Sequence, residues 1–210
     1  MADVVCSGEL DFRTEAFAER TEVTGHSMVH LAVSIEGKGG PPPSDMDIFV
    51  TLRHYNREGK ESKSSQRCRL ANVRFQVVLI HSPVFYTGTT GEPVPVVKGW
   101  LRVSLRKTDS SDSRHTDYMP HRNYLSTDVQ SVAPGETYSV DVEVWPTSVV
   151  VEQGSTLGLQ ISGHDTQGSG LFEHNHPEDR AEVKLKGWNR VHVGPSSQSY
   201  LVLPIIPERP

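Results

Sequence analysis

Cysteine is nearly absent: among 210 residues only Cys6 and Cys68 carry a thiol, so one disulfide is the most the chain can form. A scaffold stapled by several disulfides is therefore excluded. Helical patterning is missing as well. No apolar set at i, i+3, i+4, i+7 persists over three turns. No apolar run approaches the ~20 residues that a membrane-spanning helix needs. The opening MADVVCSGELDF has neither a basic flank nor a sustained apolar stretch, so it is not a secretory signal. With two isolated thiols, that predicts a cytoplasmic protein with both cysteines reduced. An excess of positive charge is lacking too. The formal net charge is −5, and the basic residues are scattered. Lys60, Lys63, Arg67 and Arg69 form the densest group and read as a solvated loop, so neither nucleic acid nor a membrane is an expected partner.

The machinery of a serine hydrolase is also missing. Gly-x-Ser-x-Gly, which holds a nucleophile on a strained strand-to-helix turn, does not occur. In Gly154-Ser155-Thr156-Leu157-Gly158 the serine comes one place early, and Gly168-Ser169-Gly170 reads as a loop. The strand–helix alternation that would carry such an elbow is not there either. No catalytic residue and no cofactor are expected in this chain.

What the sequence has in quantity is alternation, punctuated by fourteen prolines and seventeen glycines. Val29, Leu31, Val33 and Ile35 alternate with His30, Ala32 and Ser34, after a turn at Thr24-Gly25. Ile48, Val50 and Leu52 oppose Phe49, Thr51 and Arg53 within Met46–Tyr55. Val73, Phe75, Val77 and Leu79 continue the pattern, in a strand apolar on both faces. In Gly99–Arg106, Leu101, Val103 and Leu105 lie opposite Trp100, Arg102 and Ser104. Tyr138, Val140, Val142 and Val144 follow the Pro134-Gly135 turn, and Leu157, Leu159 and Ile161 follow Gly154-Ser155. Leu10–Arg13, the stretch AEVKLKGWNRVHVG and the tail SYLVLPIIP add further strand candidates, while Gly37–Asp45 and Thr108–Asp117 read as loops. Eight to ten strands without intervening helices predict a single all-β sandwich or barrel.

Several residues can bear chemistry. His174 and His176, flanked by Glu173, Glu178 and Asp179, are the densest set of possible metal ligands, although Pro177 follows at once and a polar loop explains them equally. The pairs Asp45/Asp47 and Asp109/Asp112 read as turn caps rather than an acid–base pair. Trp100, Trp145 and Trp188 stand on strands or at their ends, opposite the aliphatic faces, and are the candidates for an interface or a ligand-stacking face.

The order of these stretches resembles a known family. GWLRVSLRK, a Tyr-Leu pair before PGE, a valine-rich strand ending Trp-Pro-Thr-Ser, and GSTLGLQISGHD resemble the C-terminal domain of the CocE/NonD hydrolases, which include the X-Pro dipeptidyl-peptidases and cocaine-esterase-type enzymes. LDFRTEAFAERTEVTGHSMVHLAVS, the Asp-x-Asp strand at Asp45–Val50 and the ending GWNRVHVGPSSQSYLVLPIIP are similar to the start and close of that domain. The resemblance implies a jelly-roll β-sandwich, galactose-binding-like, of two antiparallel sheets with little helix. It sets residues 9–210 as that domain and 1–8 as a disordered or truncated lead-in. In the family this module packs on an α/β-hydrolase domain in cis and shapes its cleft, while Ser, Asp and His lie upstream. No residue here inherits a catalytic role, and the chain alone is expected to be inactive. A face bared by the absent catalytic domain implies self-association. The alternative is a free-standing jelly roll that binds a carbohydrate or a protein.

Overall fold

The computed structural model describes residues 2–6, 8–61, 94–166, 173–194 and 197–207. Cys68, the basic residues Lys63, Arg67 and Arg69, the strand expected around Val73–Leu79 and the glycine-serine loop at 168–170 lie outside the described residues.

Among the described residues there are ten antiparallel strands: β1 (Ala2–Cys6), β2 (Leu10–Arg13), β3 (Thr21–Glu36), β4 (Asp47–Tyr55), β5 (Val97–Arg102), β6 (Thr137–Val151), β7 (Thr156–Ser162), β8 (Trp188–Val193), β9 (Tyr200–Val202) and β10 (Ile205–Ile206). They follow the order β1-β8-β3-β6-β5-β4-β7-β2, with β9 and β10 also pairing with β3. Within the segment set apart as a lead-in, Ala2–Cys6 run along β8.

The sheet curls into two layers. β8, β3 and β6 form one, and β5, β4, β7 and β2 form the other. Val29, Leu31, Val33 and Ile35 of β3 and Val140, Val142 and Val144 of β6 share a core with Ile48, Val50 and Leu52 of β4, Leu101 of β5 and Ile161 of β7. Burying each such side chain contributes roughly 1.5–3 kcal/mol, which is why the apolar face of every strand turns inward. Among the described residues the strand ladder passes from one layer to the other through one residue pair, Gly99 with Val144. The expected pair of sheets is thus a single hydrogen-bonded sheet folded over at this corner, within an all-β sandwich.

Four local expectations are corrected. Thr24-Gly25 is not a turn but lies inside β3, where the register with β6 shifts between Gly25 and Ser27. Gly25 adopts a φ of 135°, a value that favours glycine. The bulge lets β6 run through Pro146 to Val151, because a residue without an N–H can sit where the ladder is interrupted. The strand expected over Gly99–Arg106 stops at Arg102 and tightens into a 3-10 turn, Val103–Leu105. Asp45 causes this: its carboxylate accepts from the Ser104 backbone N–H at 3.0 Å and from the Ser104 hydroxyl at 2.6 Å. Within AEVKLKGWNRVHVG, residues Glu182–Leu185 form a single α-helical turn (α1) rather than strand. The tail SYLVLPIIP is broken between β9 and β10 at Leu203-Pro204, since Pro204 has no N–H for the ladder.

Candidate functional site

Alternation sends Leu101 inward and leaves Trp100 outward on β5, and it does the same to Val144 and Trp145 on β6. Gly99 and Val144 pair at the corner, so the two tryptophans meet there, ring centroids 5.3 Å apart and planes inclined at 47°. They remain open to solvent, at 39% for Trp100 and 59% for Trp145. The imidazole of His174 lies 4.7 Å from Trp100 and 5.3 Å from Phe49 of β4, the residue paired with Trp100 across the ladder.

A groove of about 740 Å³ runs beside these rings, walled by Phe49, Trp100, Tyr124 and His174. Its floor is an ion network. Asp47, at the start of β4, accepts from Arg102 Nε at 2.7 Å and Nη2 at 3.0 Å, and Arg180 Nε approaches the same carboxylate to 3.4 Å. The Asp47 hydrogen bond holds the Arg102 guanidinium above its usual pKa, so that charge is permanent. Arg180 also donates to the carbonyls of Gly163 and His174, which clasps the 173–180 segment onto the β4–β5 layer.

The residues singled out from sequence divide cleanly. His174 donates its backbone N–H to Asp165 at 2.6 Å and places Nδ1 3.0 Å from the same carboxylate. His176 faces Asp179 at 3.6 Å on the surface. The two histidines do not converge on each other, and among the described residues no group of three or more His, Cys, Asp or Glu side chains is arranged to hold a metal ion. Trp188 does not join the other two tryptophans. It lines a separate groove, and the Lys38 ammonium lies 4.2 Å over its ring. Asp45 and Asp47 serve different partners, Ser104 and the arginines. Asp109 and Asp112 cap turns, accepting from the N–H groups of Ser111 and Arg114. Ser155 is buried in the turn before β7, accepting the Phe17 N–H on its carbonyl.

One arrangement had no signal in the linear sequence. On the outer face of the β3–β6 layer, His30 sets Nε2 2.9 Å from Ser139 Oγ and Nδ1 2.5 Å from Asp141 Oδ1, its ring stacked on Tyr200. The three residue types are those of a hydrolase triad, but their setting is not. Ser139 and Asp141 are two residues apart on one flat strand, with His30 opposite Asp141 across the ladder. No strained elbow presents the hydroxyl, and the sheet's ladder engages the neighbouring β3 and β6 backbone. The array is a cross-strand staple. Tyr124 was also missed, because nothing in HRNYLST reveals that its φ is +53°.

The model of the X-Pro dipeptidyl-peptidase C-terminal non-catalytic domain matches residues 7–202. Among solved structures, a CocE/NonD family hydrolase from Staphylococcus aureus is 23% identical with a TM-score of 0.68, over 98% of this chain and 33% of that one. An α-amino acid ester hydrolase is 18% identical with a TM-score of 0.55, over 94% of this chain and 25% of that one. An aminopeptidase from a marine sediment archaeon of the Thaumarchaeota is 14% identical with a TM-score of 0.52, over 95% of this chain and 26% of that one. At these identities the likeness is one of fold. The chain spans about a third of the length of the staphylococcal protein. No curated protein matches it. Among the described residues no helix is long and apolar enough to cross a membrane.

Proposed function

The chain belongs to the family of X-Pro dipeptidyl-peptidase C-terminal non-catalytic domains, and from that premise we propose that it packs on an α/β-hydrolase catalytic domain in cis and shapes that domain's cleft. The observation that carries this reading is the family match over 7–202 in a fold that fills only about a third of a CocE/NonD hydrolase. Two features support it. Ser139, the one serine in a Ser–His–Asp array among the described residues, lacks an elbow. The open aromatic corner offers a surface suited to a partner. The reading includes self-association of the isolated chain through that bared corner, and a cytoplasmic setting in which Cys6 and Cys68 are thiols.

A fluorophosphonate probe tests it. The purified 210-residue chain should take up no label, whereas the native protein captured from its own cells should be labelled on a polypeptide longer than this chain. Label on Ser139, or capture of an unlabelled chain of 23.3 kDa, would refute the reading. The carbohydrate-binding alternative has one observation in its favour, the open Trp100 and Tyr124 rings lining the same groove. It requires Trp100 fluorescence to respond to a glycan, and silence across a glycan array removes it.

A further inference from the structure

On the outer face of the β3–β6–β8 layer polar side chains pair with one another: Ser139, His30 and Asp141, then Ser34 with His192 at 2.9 Å, then Arg190 with Glu36. At the corner where β5 crosses β6 the outward side chains are aromatic. Trp100 and Trp145 are joined there by Tyr124, which lines the same groove as Trp100 and is 59% exposed.

Tyr124 is the informative residue. Among the described residues it is the only one other than glycine with a positive φ. That conformation is uncommon for a bulky aromatic, and here it leads the ring outward rather than into the core. Its side chain hydrogen-bonds the buried Arg122 guanidinium, which fixes the Tyr124 ring beside the groove while leaving it open to solvent. Arg102 and Arg180 are committed to Asp47 and Asp179 faces His176, whereas Glu173 borders the opening from an exposed position.

We infer that this corner, made of Trp100, Trp145 and Tyr124, is the surface on which the catalytic domain seats. The domain sends one projecting apolar side chain into the groove and a basic side chain towards Glu173. The inference rests on the accessory-domain reading and adds its location. It also assigns Trp188, under Lys38 in its own groove, no part in the contact.

Hydroxyl-radical footprinting tests it, comparing the isolated chain at concentrations where it is monomeric with the native protein captured from its cells. Oxidation of Trp100, Trp145 and Tyr124 should fall at least about fivefold in the native protein, because the core of a seated interface excludes water. Tyr200 and Trp188 should not change. Protection of Tyr200 with an unprotected Trp100–Trp145 corner would overturn the location while leaving the accessory-domain reading intact. No protection anywhere, in a native protein no larger than this chain, would overturn both. Trp145→Ser supplies the folding control. It should move the melting temperature of the isolated chain by no more than ~2 °C, since the ring is exposed, yet weaken protection of Trp100 in the full-length protein.

Discussion

Gly99→Ala probes the corner that holds the two layers together. A Cβ built on Gly99 would lie 2.2 Å from the Glu143 carbonyl oxygen and 3.0 Å from Val144 Cα. Both are backbone atoms of β6, so no side-chain rotation relieves the clash. The φ of Gly99 lies outside the left-handed region, so space alone decides the outcome. In an ordinary strand the change to alanine would stabilise by roughly 0.5–1 kcal/mol through reduced freedom of the unfolded chain. Here β5 must move about 1 Å from β6, a displacement a close-packed core resists at a cost of about 3 kcal/mol. The net loss is about 2 kcal/mol, or a drop in Tm of about 4–8 °C for a chain of this size. Differential scanning calorimetry measures it. Near-UV circular dichroism gives a local readout, because Trp100 and Trp145 are the residues that follow Gly99 and Val144. Gly40→Ala, with nothing within 4 Å of the added Cβ, is the control and should be neutral or stabilising. The sign is the test: a Gly99→Ala protein as stable as the parent, or more so, would show that the layers are not held in contact at this pair.

Three further outcomes follow from the structure. Asp47→Asn leaves the half-buried Arg102 and Arg180 facing a neutral amide and should cost about 2 kcal/mol, discounted for their partial exposure, by urea unfolding. Arg122 is buried and donates Nη2 to the Asp141 carbonyl at 2.6 Å, covering β6 where β5 does not pair with it. Arg122→Met should cost about 2 kcal/mol, and hydrogen exchange around Asp141–Glu143 should accelerate. Burial holds the His54 pKa below 6.5, against a smaller opposing pull from Glu152. The folded state therefore binds fewer protons than the unfolded one as pH falls below 6.5. The stability present above that pH is then lost as pH drops through the depressed value. The difference between the parent and His54→Gln should shrink from pH 7.5 to pH 5, and a difference that grows instead would contradict the sign.

The fold was legible wherever one face of a strand is buried. Val29 to Ile35, Ile48 to Leu52 and Val140 to Val144 alternate because one side meets the core, and they lie where the pattern put them. Errors arose where a side chain from elsewhere overrode local pattern. Asp45 draws Ser104 into a 3-10 turn, and a bulge opposite Pro146 turns an expected break into a long strand. The site was half legible. Trp100 and Trp145 could be read as outward-facing, but their meeting depends on one residue pair between strands distant in sequence. The link from Asp47 to Arg102 and Arg180, and the Ser139–His30–Asp141 staple, depend on register in the same way. Trp188 satisfied the same sequence criterion and faces a different groove.

The most direct test of the accessory-domain account is the size of the native protein in its own cells, by immunoblot with an antibody raised against this domain. The account predicts a band well above 23.3 kDa, on the order of three times the mass given the third of a CocE/NonD hydrolase that the domain fills. A sole band at 23.3 kDa would contradict it.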